Sequence, residues 1–419
     1  MTAVIDSHPA YEGPVRWDPT DPVFRADPYP FYDRLRTEQP VHLSQRRDDI
    51  VLSRYDDVVR VLRDPTVSRD VEKNGRLDPN DPIARARRER RGDDGAKTIL
   101  NLDPPDHTRL RRLVSKAFTP TAIERLRGWM IARVDSVLDR AATAGGMELI
   151  DELAFPFPFD VISQMLDLPT DRADDVRDWS MALTQSLEPQ CTVEELRAAD
   201  AAINQLIPYL FELIEGRRGR LDDDVLSGLI AAEDDGDTMD AAELLSFVIL
   251  LYVAGHETTV NLIGNGMLAL LRHPGQLAAW RDDPALDAVA VDELMRFDGP
   301  VQHTVRIAMQ PMEFPDGLGN TFTAEPGQPI MTLLGAANHD PAMFADPHVL
   351  RLDRPNAARH LGFSAGIHYC LGASLAKMEA TIALSRLIRR FPNIEMLGDA
   401  HWRDRITIRG VDRLRLEFR

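Results

Sequence analysis

Phe363-Ser364-Ala365-Gly366-Ile367-His368-Tyr369-Cys370-Leu371-Gly372 runs straight into an amphipathic stretch, from about 371 to 390, that reads as a helix. Cys370 therefore stands at a helix amino terminus, where the dipole and unpaired N–H groups favour the thiolate. Gly366 and Gly372 let the backbone bend and come close to a flat ligand that a Cβ would obstruct. His368 offers a donor two residues from the sulfur. Cys191 is the only other cysteine, so neither a disulfide framework nor a metal ion needing several cysteines is available. A lone cysteine near a helix start is by itself more often a packed core residue. The spacing around it reverses those odds.

A haem iron needs one axial thiolate, which pushes electron density onto the metal and favours O–O cleavage. The Phe-x-x-Gly-x-His-x-Cys-x-Gly spacing resembles the haem-binding loop of the cytochromes P450. Ser364 is the departure, because many members have glycine there. The resemblance implies haem b, with Cys370 as axial ligand and Phe363, Gly366, His368 and Gly372 around it.

A second run, Ala254-Gly255-His256-Glu257-Thr258-Thr259, lies inside a long apolar helical pattern, 239–271. Glycine costs about 1 kcal/mol against alanine in a helix, and a buried unpaired glutamate costs more. Threonine can bond back to a carbonyl one turn earlier and open the helix locally. These residues fit a proton relay, with Thr258 holding dioxygen and a water while Glu257 passes protons from solvent. In isolation the run would read as a kinked core helix with its polar groups bonded internally. It resembles the same family's acid–alcohol motif: Glu257 matches the acid, Thr258 the alcohol, and Ala254 and Gly255 the groove.

Glu293-Leu-Met-Arg296 sets a carboxylate and a guanidinium three apart on one helix face. An exposed pair of this kind contributes under about 1 kcal/mol. The pair resembles the family's Glu-x-x-Arg motif, which implies a buried structural lock with Arg354 as third arm. His107 and Arg111, one helical turn apart, resemble the family's third-helix anchor for the haem propionates; Arg306 matches its strand arginine, and His368 completes that set.

Composition narrows the rest. With 49 basic against 67 acidic residues the formal charge is −18, which argues against a general nucleic-acid binder or a polybasic membrane anchor. No signal peptide is visible at the amino terminus. The longest apolar stretch, Leu244 to Gly255, falls short of the ~20 residues a bilayer span needs. The chain reads as cytoplasmic, with residues 1–20 as an irregular arm. Extended runs at Val41–Ser44 and Asp49–Arg54 precede a helix from Tyr55 to Arg63, stopped at Asp64-Pro65. Residues 69–98 read as a long loop with at most one short helix. Helices are expected over 106–117, 120–142, 157–166, 171–187, 193–217, 222–233, 239–271, 274–281 and 285–296. Strand-like pieces fill 305–334, and Arg405–Phe418 alternates like a hairpin.

The expected fold is mainly α with a minor β region, a single large P450 domain over 1–419. The resemblance implies insertion of one atom of O2 into a lipophilic organic substrate, by hydroxylation or epoxidation. Electrons would come from a separate ferredoxin and ferredoxin reductase, ultimately from NAD(P)H, and the chain would act as a monomer. Arg109, Arg112 and Lys116 form a locally basic segment that could meet an acidic ferredoxin. A second basic run, Arg85 to Arg91, is expected to face solvent. Leu250, Leu251, Val253, Val301, His303 and Thr304 are expected near the substrate. Two alternatives stay open: a P450-fold enzyme using peroxide or performing non-insertion oxidation, and a haem protein that binds ligands without turnover.

Overall fold

The computed structural model describes residues 15–44, 49–78, 80–91, 98–222, 224–234 and 237–419. Its centre is helix α7, Ala241–Arg272, named here in a series with α1 (Tyr55–Arg63), α2 (Asp106–Ala117), α3 (Pro120–Ala144), α4 (Pro156–Leu166), α5 (Ala173–Gln185), α6 (Val193–Arg218), α8 (Ala290–Asp298) and α9 (Ala373–Arg390). Asp240 starts α7 with a capping box: its carboxylate accepts from the Glu243 N–H, and the Glu243 side chain accepts from the Asp240 N–H. Thr192 and Glu195 do the same for α6. Apolar residues surround α7 on almost every side, and α4, α5, α6, α8 and α9 all pack against it. Among the described helices it alone is long and apolar enough to cross a membrane, but 67% of its most apolar window is buried inside the protein, as a core helix requires.

Beside the helices lies a five-stranded sheet of β1 (Val41–Leu43), β2 (Ile50–Leu52), β3 (Val67–Ser68), β5 (His303–Ala308) and β6 (Pro329–Leu333), ordered β1-β2-β6-β5-β3. β6 runs parallel to β2, with Met331 opposite Val51, and antiparallel to β5, with Ile330 opposite Arg306. A smaller sheet joins β4 (Gly146–Glu148), β10 (Arg415–Phe418) and β7 (Ile394–Met396). A third pairs β8 (His401–Trp402) with β9 (Val411–Arg413). The molecule is mainly α with a minor β component.

Several boundaries differ from the sequence reading. Within 69–98, Pro82–Arg91 forms a ten-residue helix. Asp81 receives the Ile83 N–H and Pro82 opens the first turn, but five arginines leave no apolar face to betray the period. The helix expected over 222–233 shrinks to Val225–Ile230, and Glu233–Asp234 pairs with Asp237–Thr238 instead. The span 285–296 divides into a 3-10 turn, Pro284–Ala288, and α8. The carboxyl-terminal hairpin is absent: β9 turns to β8, while β10 pairs with β7 and β4. Residues 15–20 are irregular but anchored, with Val15 and Trp17 buried; residues 1–14 of the expected arm lie outside the described set.

Candidate active site

The cysteine loop is a closed turn held by its own backbone. The Cys370 N–H donates to the Phe363 carbonyl at 3.0 Å, Tyr369 N–H to Gly366 at 3.1 Å, and Ser364 N–H to Leu361 at 2.8 Å. Gly366, at φ +73°, lies against the end of α1, where a Cβ would come 2.3 Å from the Leu62 carbonyl oxygen. The close approach that fixes this glycine is therefore to another backbone. At Gly372 the φ is ordinary and a Cβ would meet no protein atom within 4 Å, so nothing in the polypeptide demands glycine there. Such a cradle suits a flat group lying over the loop. Ser364 takes φ +61°, the left-handed region that favours glycine, and its buried hydroxyl has no partner.

α9 begins at Ala373 with Gly372 as its cap, so Cys370 sits just ahead of the helix rather than on it. The side chain is accessible by surface area yet ringed by protein atoms. That enclosure pushes the thiol above its ordinary pKa, against the Gly372 N–H and the Arg111 charge, which pull it down. In the polypeptide alone, burial therefore outweighs the Gly372 N–H and the Arg111 charge. A bound metal cation reverses this balance, because a coordinating thiol is deprotonated outright.

Around the loop gather two arginines, Arg69 and Arg306, and two histidines, His107 and His368. His107 and His368 lie ring against ring, 4.3 Å between centroids, and His107 Nδ1 is buried without a partner. Arg306 is buried and donates only to Thr304 Oγ1 and the Val305 carbonyl; desolvation, then the charge of Arg69, lower it to about 9. Arg69, which sequence reasoning missed, donates to the same Val305 carbonyl at 3.0 Å and is lowered to about 10 by burial. Burial, followed by Arg306 and His107, takes His368 to about 3. Among the described residues the carboxylate acting on this cluster is Asp103, which is held by Lys73, Ser68 and the Arg69 N–H. Buried cations without counter-ions are costly, and a pair of carboxylates such as haem propionates is the complementary load. Arg111 is partly diverted: it donates to the Tyr369 carbonyl at 2.7 Å, bracing the cysteine loop.

On α7, Thr258 Oγ1 donates back to the Ala254 carbonyl at 2.9 Å and Thr259 Oγ1 to Gly255 at 3.2 Å. Leu250, Leu251, Ala254 and Thr258, three to four residues apart on α7, are among its partly buried residues and share one stripe of the helix. Gly255 does not belong to that groove by contact: a Cβ there would meet Ile162 Cδ1 of α4 at 2.9 Å, which makes it a helix-packing glycine. Glu257 is 1% exposed and is held by Arg403 and, at 3.7 Å, by Arg405. Arg405 opens the segment that reads as a terminal hairpin and Arg403 lies just ahead of it, and no motif marks either residue.

Three other expected elements sort as follows. Glu293, Arg296 and Arg354 form a buried triangle: Glu293 meets Arg296 at 2.7 and 2.8 Å and Arg354 at 3.0 and 3.1 Å. Both arginines also bind carbonyls of the irregular segment ahead of the loop, including Asn338, Pro347 and Val349. The basic segment of α2 is altered, because Arg109 is ion-paired to Glu243 and Asp237. In the other basic run, Arg85 is exposed while Arg87 donates to the Ser186 carbonyl; the side chains of Arg88, Arg90 and Arg91 lie outside the described residues.

This constellation matches a known family. The family model for cytochrome P450 covers residues 50–283 and 282–401. Cytochrome P450 107B1 of Saccharopolyspora erythraea is 39% identical over 94% of this chain and 96% of its own length. The vitamin D(3) 25-hydroxylase of Pseudonocardia autotrophica is 36% identical over 93% and 94%. Among solved structures, the Bacillus subtilis bacillaene polyketide synthase cytochrome P450 PksS superposes with a TM-score of 0.85 at 33% identity, covering 96% of this chain and 99% of that one. The chain belongs to the cytochrome P450 family. It is a haem-dependent monooxygenase of the bacterial type.

Proposed function

We propose that Cys370 is the axial haem ligand, that Arg69, His107, Arg306 and His368 take the propionates, and that the protein oxidises a lipophilic substrate with electrons from a ferredoxin. The observation that carries this reading is the pair of guanidinium groups of Arg69 and Arg306, short of counter-ions, gathered with the imidazoles of His107 and His368 beside a loop that presents one cysteine. Haem supplies the activation of O2, one atom going to the substrate and the other leaving as water. The remaining chemistry belongs to the chain. Arg111 braces the loop through Tyr369. Thr258, on the partly buried stripe of α7, holds a hydroxyl where a proton must be delivered, with Glu257 as the neighbouring acid. Leu250, Leu251 and Ala254 give that stripe apolar walls suited to a lipophilic ligand.

Names among the relatives span vitamin D(3) hydroxylation and polyketide synthesis, both consistent with a bulky lipophilic substrate. The formal charge of −18 limits ferredoxin docking to a local patch, and Arg109 contributes less to it than its sequence implies, being paired already. Action as a monomer in the bacterial cytoplasm completes the proposal.

The test is turnover with a surrogate ferredoxin, its reductase, NADPH and 18O2 across a lipophilic library screened by spin-state shift. One 18O per product molecule is expected. Thr258→Ala should keep haem and divert electrons to peroxide. Product formed with peroxide but never with ferredoxin would favour the peroxide-using alternative, and unchanged coupling in Thr258→Ala would refute the relay.

A further inference from the structure

Residues 403–411 are clamped between the core helix and the connection from α5 to α6. On the core side the match follows the helical repeat. Glu257, Asn261 and Asn265 stand four apart on α7 and face this segment. Asn265 donates to the Arg409 carbonyl at 3.2 Å and accepts from the Val411 N–H at 3.3 Å. Gly410 lies so close to Asn261 that a Cβ would be 2.0 Å from its side-chain oxygen. Arg403 pairs with Glu257.

On the other side, Glu188 is wholly buried in the α5–α6 connection. Its carboxylate accepts the successive N–H groups of Ile406 (2.9 Å), Thr407 (3.0 Å) and Ile408 (3.3 Å). Arg405 reaches both sides. It donates to Gln185 Oε1 at 2.8 Å, Thr184 Oγ1 at 3.0 Å and the Met181 carbonyl at 3.2 Å, all in the last turns of α5, and stands 3.7 Å from Glu257.

A carboxylate held by two guanidinium groups keeps its orientation until a partner withdraws. Arg403 is tied to the end of the segment registered on α7, through its N–H to Gly410. The other side-chain bonds of Arg405 lie in the last turns of α5, so a shift of those turns would draw its guanidinium away from Glu257. We propose that Arg405 and Glu188 are positioning residues: they link the placement of the α5–α6 connection to the orientation of Glu257. The inference rests on Glu257 handling protons, as proposed above.

The experiment compares haem-loaded wild type with Arg405→Lys and Glu188→Gln by hydrogen–deuterium exchange and by turnover. Glu188→Gln should speed exchange at 406–408 by roughly tenfold, and Arg405→Lys should speed it across 181–192. Both variants, with normal haem content, should lose several-fold in product per NADPH, with a larger solvent deuterium isotope effect on product formation. Faster exchange with unchanged coupling and isotope effect would overturn the proposal, leaving a purely structural clamp. Wild-type exchange in both variants would overturn it too. Arg405→Lys keeps the charge, so it still decides the matter if Glu188→Gln does not fold. A wild type that never turns over would instead indict the functional reading, while the exchange data would still report whether the clamp exists.

Discussion

Ser364 shows how a single residue records a compromise. Its φ of +61° costs an L-residue roughly 1–2 kcal/mol, and its hydroxyl is buried with no partner. Ser364→Gly removes both penalties at the price of unfolded-chain entropy, so a net gain of about 1 kcal/mol is expected, read as a rise of a few degrees in Tm. Ser364→Val should lower Tm instead. His303 makes a second test. Burial, then the Arg69 charge, lower it to about 4, from an ordinary value near 6.5. A histidine depressed in the fold binds its proton more readily when unfolded, so its contribution is whole above pH 6.5 and is lost as pH falls toward 4. Denaturant melts of His303→Asn across pH 7 to 4 should therefore fall less steeply than those of wild type. Cys370, His368, Glu257 and Thr258 could be singled out in the sequence because their motifs are local. Arg69, Arg403 and Arg405 were not: their partners lie more than 140 residues away, and no spacing rule connects them.

At the scale of elements, the strongest joint is the triangle on α8. Glu293 holds two guanidinium groups and the Arg351 N–H, and the arginines in turn fasten the irregular segment that leads into the cysteine loop. Removing the acid leaves two buried cations unpaired, a loss of roughly 3–5 kcal/mol. Glu293→Ala is therefore expected to purify with little haem; normal haem content by pyridine haemochrome assay would remove the triangle from the account. Long, strongly periodic helices such as α3, α6 and α7 were readable to within a few residues. Boundaries were lost where the period was silent or too short. The one short helix allowed within 69–98 could not be placed, because Pro82–Arg91 has no apolar stripe, and 222–233 holds only a six-residue helix before a strand pair.

Across the whole molecule, sheet pairing brings together what the sequence separates. β5 lies between β6 and β3, which places Arg306 beside Arg69 just past β3, and both near His368, whose ring lies against His107 of α2. The clamp of 403–411 between α7 and the α5–α6 connection is likewise set by topology, and alternation over 405–418 pointed to a simple hairpin that the chain does not form. The direct test of the central claim is the carbon monoxide difference spectrum of the reduced protein, for wild type and Cys370→Ser. A Soret band at the long-wavelength position of thiolate-ligated haem in wild type, lost in Cys370→Ser, is the predicted result. A short-wavelength band in wild type, or an unchanged long-wavelength band in the variant, would contradict it.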